Sequence, residues 1–145
     1  CLSARQICGR ERRLEKKGWK LFGSKNAAFK RVYTKGDLVA KIGYCAPDQT
    51  LYKLVRRAGM SRFFATAYLI RDDCMIQRKV DLLDMATPEV QSKLDFQISK
   101  LKQELSDRFN LKMWDVGDRN AGHLNGELKI IDGFVYPHGM EPYWF

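Results

Sequence analysis

The sequence lacks the spacings and runs that mark several common protein classes. None of its four cysteines, Cys1, Cys8, Cys45 and Cys74, forms a C-x-x-C pair, and there are only two histidines, His123 and His138. A structural zinc site or a dithiol redox centre is therefore not expected. Thiols scattered in this way fit a reducing, cytoplasmic setting. Apolar runs such as 63–70 stop far short of the ~18 residues needed to cross a bilayer, so no membrane span is expected. No apolar stretch of the secretory type opens the sequence. Repeats and low-complexity tracts are also missing. Acidic residues are in deficit: 17 Asp and Glu face 26 Lys and Arg, a net charge of +9. That balance favours anionic partners (nucleotide, nucleic acid, an acidic protein face or anionic lipid) without choosing among them. With 45% hydrophobic residues over 145 positions, the chain can bury one core, which excludes wholesale disorder.

Two regions differ in composition. Residues 1–18 read as a basic helical arm. Ser3 is a candidate cap and Gly18 a stop, and Arg5–Lys20 holds seven basic residues against two acidic ones. This stretch is either a polyanion-binding arm or a solvated helix. Residues 19–145 read as a single α+β domain. Three strands in a meander are expected near 19–23, 29–33 and 38–43, with a turn at Thr34–Asp37. A helix opens at Pro47-Asp48 and stops at Gly59, and strands follow at Phe63–Ile70 and Cys74–Val80. Thr87-Pro88 is a helix start, with Val90, Leu94, Ile98, Leu101, Leu105 and Phe109 on one face. Beyond it, Leu111–Trp114 reads as a strand and Asp115–Gly122 as a loop. His123 to Ile131 makes a hairpin turning at Asn125-Gly126, and the remaining residues read as irregular.

The polar residues of the last third carry the chemistry. Asp115 and Asn120 lie five apart in a loop after a strand, and Asp132 ends the hairpin twelve residues later. A carboxylate, a carboxamide and a second carboxylate on adjacent loops at one sheet edge can converge. Oxygen ligands of this kind suit Mg²⁺, which keeps water and phosphate in its shell. The remaining carboxylate can orient or deprotonate a hydroxyl. The alternative is turn chemistry, which Asp and Asn also serve. Lys41 stands inside the apolar strand Leu38–Ile42, where a cation is costly unless it meets an anion. Its alternative is an edge-strand lysine that reaches solvent. Gly23 marks a small-residue turn that can fold over phosphate.

Asp115–Asn120 has the form D-x-x-x-x-N, an apolar strand leads into Asp132, and Val39-Ala40-Lys41-Ile42 resembles a V-A-I-K strand. In these motifs, and in the order of its elements over 19–135, the chain resembles the protein-kinase-like superfamily. The resemblance implies an antiparallel five-stranded N-lobe sheet with one helix (19–82). It also implies a reduced C-lobe of one long helix and a catalytic-loop hairpin (83–145). ATP and Mg²⁺ would be the cofactors. Gly23 and Lys41 would contact phosphates, the backbone around Asp81 would meet the adenine, Asn120 and Asp132 would hold Mg²⁺, and Asp115 would be the catalytic carboxylate.

The chain departs from the family pattern in several places. Gly23 stands alone in its loop, and Met113-Trp114-Asp115 replaces His-Arg-Asp. Asp132-Gly133-Phe134 replaces Asp-Phe-Gly, and the helix that opens at Pro47 offers Asp48 or Gln49 where the family has Glu. Thirteen residues follow Asp132 in the sequence, so a minimal or truncated member is expected, like small bacterial, phage or effector kinase-like proteins. The implied function is ATP/Mg-dependent phosphoryl transfer to an unidentified acceptor. The alternative is an inactive pseudokinase that binds and regulates a protein partner. A cytoplasmic location is implied, or delivery into a host cytoplasm for an effector. Nucleic acid is a further possible partner on charge alone, with no recognised motif.

Overall fold

In the computed structural model, residues 4–22, 30–114, 120–132 and 134–137 are described. The chain is α+β, with a five-stranded antiparallel sheet and three α-helices among these residues. It divides into two compact units, Cys1–Thr50 with Ala65–Lys79, and Leu51–Phe64 with Val80–Phe145. No helix among the described residues is long and apolar enough to cross a membrane.

The first unit is built on the sheet. Its strands are β1 (Lys20–Phe22), β2 (Lys30–Lys35), β3 (Leu38–Gly43), β4 (Ala67–Ile70) and β5 (Cys74–Arg78), in the spatial order β1-β2-β3-β5-β4. Side chains alternate across a strand, so register assigns the faces. Tyr33 is opposite Ala40, which is opposite Ile76; Ile42 is opposite Cys74. This face is covered by helix α1 (Ala4–Lys16), whose Leu14 packs against the Tyr33, Ala40 and Ile42 cluster together with Trp19 and Leu21. Glu11 of α1 is buried there. Its carboxylate accepts a hydrogen bond from the Tyr33 hydroxyl at 2.5 Å and pairs with Arg31.

Burial, with the Glu11 bond second, pushes the Tyr33 hydroxyl above its ordinary value near 10. Burial, then the Asp48 charge, pushes the Cys45 thiol from near 9 to about 12. Both groups keep protons in the fold that the unfolded chain would release, so the unfolded state binds fewer protons at alkaline pH. Stability is expected to be insensitive to these groups below pH 9 and to fall as pH rises from about 9 toward 12. A melting-temperature series across that window checks this, and Cys45→Ala should flatten its first part.

The second unit is built around helix α3 (Pro88–Phe109). Thr87 caps it, its hydroxyl accepting from the Val90 N–H at 3.4 Å, and Asn110 ends it in the left-handed region with φ 52°. Leu94, Ile98, Leu101 and Leu105 form its buried stripe. They meet Leu51 and Val55 from helix α2 (Ala46–Arg57), which begins in the first unit, together with Phe64, Leu83, Leu128 and Ile130. A three-stranded sheet orders β6 (Asp81–Leu82), β8 (Ala121–Leu124) and β9 (Glu127–Ile130). β7 (Leu111–Trp114) pairs separately with β10 (Phe134–Pro137). Asn125 and Gly126, at φ 53° and 79°, make the tight turn expected between β8 and β9.

Three local expectations are corrected. The apolar run 63–70 is not one strand. Ser61–Phe63 is a 3-10 turn, Phe64 bridges to Ile130, and β4 starts only at Ala67. A register shift between Ala67 and Leu69 leaves Tyr68 exposed. Residues beyond Gly133 are not wholly irregular, because β10 adds to β7. Ala121 and Gly122 are strand rather than loop. A Cβ at Gly122 would sit 2.2 Å from the Asp81 carbonyl oxygen, so glycine is needed for β6 to approach β8. Gly122→Ala is expected to cost about 2–3 kcal/mol by forcing backbone apart, read as a lowered urea midpoint.

Candidate nucleotide and metal site

In the second unit the β8–β9 hairpin closes the twelve-residue gap between Asn120 and Asp132. Ala121 is in register with Ile130, and the Asn120 carbonyl accepts the N–H groups of Ile131 at 2.9 Å and Asp132 at 3.3 Å. The two residues are neighbours at the open end of the hairpin, each half-buried. Two four-residue strands and a two-residue turn set that distance, so the turn at Asn125-Gly126 fixes the pairing of residues far from it. The β7–β10 ladder brings a second part of the chain to the neighbourhood of Asp132 along the sequence. Trp114, which precedes Asp115, is in register with Phe134, two residues beyond Asp132. Asp115 itself lies outside the described residues, as does Gly23.

Among the described residues no three His, Cys, Asp or Glu side chains group so as to hold a metal. Asn120 and Asp132 contribute a carboxamide and a carboxylate, two hard oxygen donors without sulfur or imidazole. Such a set fits Mg²⁺, which takes one or two protein carboxylate-type ligands and completes its octahedron with water and phosphate. It does not fit a structural zinc site. Asp81 sits in β6 opposite His123. β6 is the outer strand of its sheet, so one backbone edge faces no strand among the described residues.

In the first unit Lys41 stands on β3, the central strand, between Val32 and Met75. Only 5% of it is exposed. The edge-strand reading therefore does not hold, since a lysine there would reach water. Val39, Met75 and Gln77 share its face, and Met75 and Gln77 are also buried. A cation held in such surroundings is stable only with compensating charge or acceptors.

The sequence left open which of Asp48 or Gln49 would pair with Lys41. The structure puts Asp48, 1% exposed, against Lys30, with Nζ–Oδ2 at 2.7 Å. The contact is an ion pair rather than an aligned hydrogen bond. Lys30 lies opposite Gly43 and so projects from the same sheet face as Lys41. Cys45, at the entry to α2, donates its thiol to the Lys41 carbonyl at 3.7 Å. The sequence reading missed this Lys30–Asp48 pair. Its only signal was an acid in the first turn of a helix, which the helix dipole explains equally well.

A groove of about 430 Å³ in the second unit is lined by apolar side chains such as Phe63, Leu101 and Leu128 and by charges of both signs, Arg62, Lys93 and Glu104 among them. It lies by Gly126, at the turn end of the hairpin. The four-residue strands put roughly 13 Å between that end and Asn120, so the groove is separate from the Asn120–Asp132 pair. No family model matches the chain, and no curated protein matches it.

Proposed function

We propose that the chain is a minimal protein-kinase-like phosphotransferase that uses ATP with Mg²⁺. The observation that supports it most is the hairpin pairing of Asn120 with Asp132, flanked by the β7–β10 ladder that leads into Asp115. In this reading Asn120 and Asp132 hold the metal, Lys41 takes the α- and β-phosphates, and the backbone around Asp81 meets the base. Gly23 is assigned to the phosphates with Lys41 in the same reading. Bound Mg²⁺ supplies charge neutralisation for the β- and γ-phosphate oxygens. Asp115 orients the acceptor hydroxyl and takes its proton. The acceptor oxygen then bonds to the γ-phosphorus while the bond from that phosphorus to the β–γ bridging oxygen breaks, and ADP leaves. The protein's part is positioning and charge compensation rather than covalent chemistry.

A second reading is a pseudokinase that acts by binding a protein partner. The engagement of Asp48 by Lys30 favours it, since the family's helix acid serves the strand lysine. The test is a thermal-shift titration with Mg²⁺ alone, ATP alone and both, alongside release of ADP. A ligand that binds only the native form raises apparent stability by mass action. A rise with Mg²⁺ and ATP together, accompanied by ADP release, supports the transferase. A chain that is stabilised by neither and releases no ADP is not one.

A further inference from the structure

We infer that the solvent face of α1, with the lysines around its C-terminal end, is a docking surface for the phosphate backbone of nucleic acid. The inference stands apart from the kinase-like reading. It begins with α1 and α3, whose charges are distributed differently. α3 carries four basic and four acidic residues, so its charges balance, and Arg108 pairs with Glu104 one turn away at 2.5 Å. α1 carries five basic residues against two acidic ones, and one of those acids, Glu11, is turned inward to Arg31 and Tyr33. Arg10 is paired as well, with Asp73 at 2.7 Å.

What remains outside is almost all positive. Arg12, Lys16, Lys17 and Lys20 are exposed and have no ion-pair partner among the described residues. Arg13 is exposed too, its one side-chain bond among the described residues going to the Gly9 carbonyl, and Glu15 is the one exposed acid of the helix. Lys35 joins them from the end of β2, its ammonium donating to the Lys17 carbonyl at 2.5 Å. The helix dipole explains cations on the last carbonyls, such as Lys35. It does not explain Arg12, or Lys20 beyond the helix.

The occupant follows from what the helix has already used. Leu14 of α1 is packed on the sheet and so does not offer itself to a lipid interface. The helix is anchored, which gives the cations a fixed spacing. Arg12 and Lys16 lie four residues apart on the helix, about 6 Å along its axis, and Lys20 opens β1 beyond its end. The helical step corresponds to roughly every second phosphate of a duplex strand, each about 3.4 Å along the axis. A regular polyanion can be matched by such a spacing without sequence readout.

The test uses the full chain and a labelled duplex of about 20 base pairs in anisotropy titrations from about 50 to 200 mM salt. Two charge-reversed variants are compared, Arg12→Glu with Lys16→Glu, and Lys93→Glu with Lys100→Glu. Both lower the net charge equally, and all four positions are exposed, so folding is checked by circular dichroism and is expected to be unchanged. The α1 pair should weaken binding at least tenfold and reduce the slope of log affinity against log salt by about 2. The α3 pair should change affinity less than threefold. Equal losses in the two variants would mean bulk charge alone and overturn the proposal. So would a wild-type chain that ignores the duplex, or one that binds phosphatidylserine vesicles or polyglutamate in preference to it.

Discussion

Asp132→Ala is expected to reduce phosphoryl transfer by about 10²–10³-fold, the size seen when one preorganised charge-stabilising group is removed. The same variant should lose the extra stabilisation that Mg²⁺ adds to ATP, read as the shift from its own ligand-free melting temperature. The second expectation separates a site residue from a structural one. The Asn120 carbonyl bonds to the Asp132 N–H, and a change of side chain leaves that backbone bond in place. Half-burial at the open end of the hairpin also leaves room for truncation without a sealed cavity. Asp132→Asn tests charge against oxygen donation, since it keeps one oxygen donor and removes the negative charge. A variant that turns over as the parent does would end the transferase reading. A variant that loses the Mg²⁺-dependent shift but not the shift with ATP alone would locate Asp132 at the metal.

Asp48→Ala is expected to destabilise the chain by about 3–5 kcal/mol, the usual cost of removing one partner of a buried ion pair. Lys30 is 14% and Asp48 2% exposed at their side chains, so water screens little of the lost interaction. The pair spans β2 and the first turn of α2, so the loss should also loosen the start of that helix. Replacing both members with apolar residues of similar size, Lys30→Met with Asp48→Leu, should recover most of the stability, because no buried charge is left unneutralised. Urea denaturation of the two single variants and the double variant supplies the cycle. Additive losses would show that the two side chains act independently.

Much of this architecture could be read before any coordinates. The α3 helix was legible because three local signals agreed: a threonine cap, a proline at the first position and an apolar stripe at helical spacing. The β8–β9 hairpin was legible because Asn-Gly is a turn that few other arrangements use. Where a residue's role depends on a distant strand, the sequence was silent or misleading. Gly122 looked like part of a loop, yet it is buried strand because the Asp81 backbone passes 2.2 Å from where a Cβ would be. Phe134–Pro137 looked irregular, yet it pairs with β7. The run 63–70 looked like one strand because periodicity cannot see the bridge from Phe64 to Ile130.

The candidate site divides along the same line. Asp132, Asn120 and Lys41 could be named from residue type and spacing, because a carboxylate at a strand end and a lysine in an apolar strand are visible in one dimension. The sequence by itself determined the helix limits, the hairpin and the excess of positive charge, since all three arise from interactions within a few residues or from composition. Only the tertiary structure decided that Lys41 lies on the central strand, that Asp48 belongs to Lys30, and that α1 turns Glu11 inward while Arg12, Arg13 and Lys16 face water. Those outcomes depend on which distant segments are buried together. Burial makes charge pairing compulsory in a way that no local preference encodes.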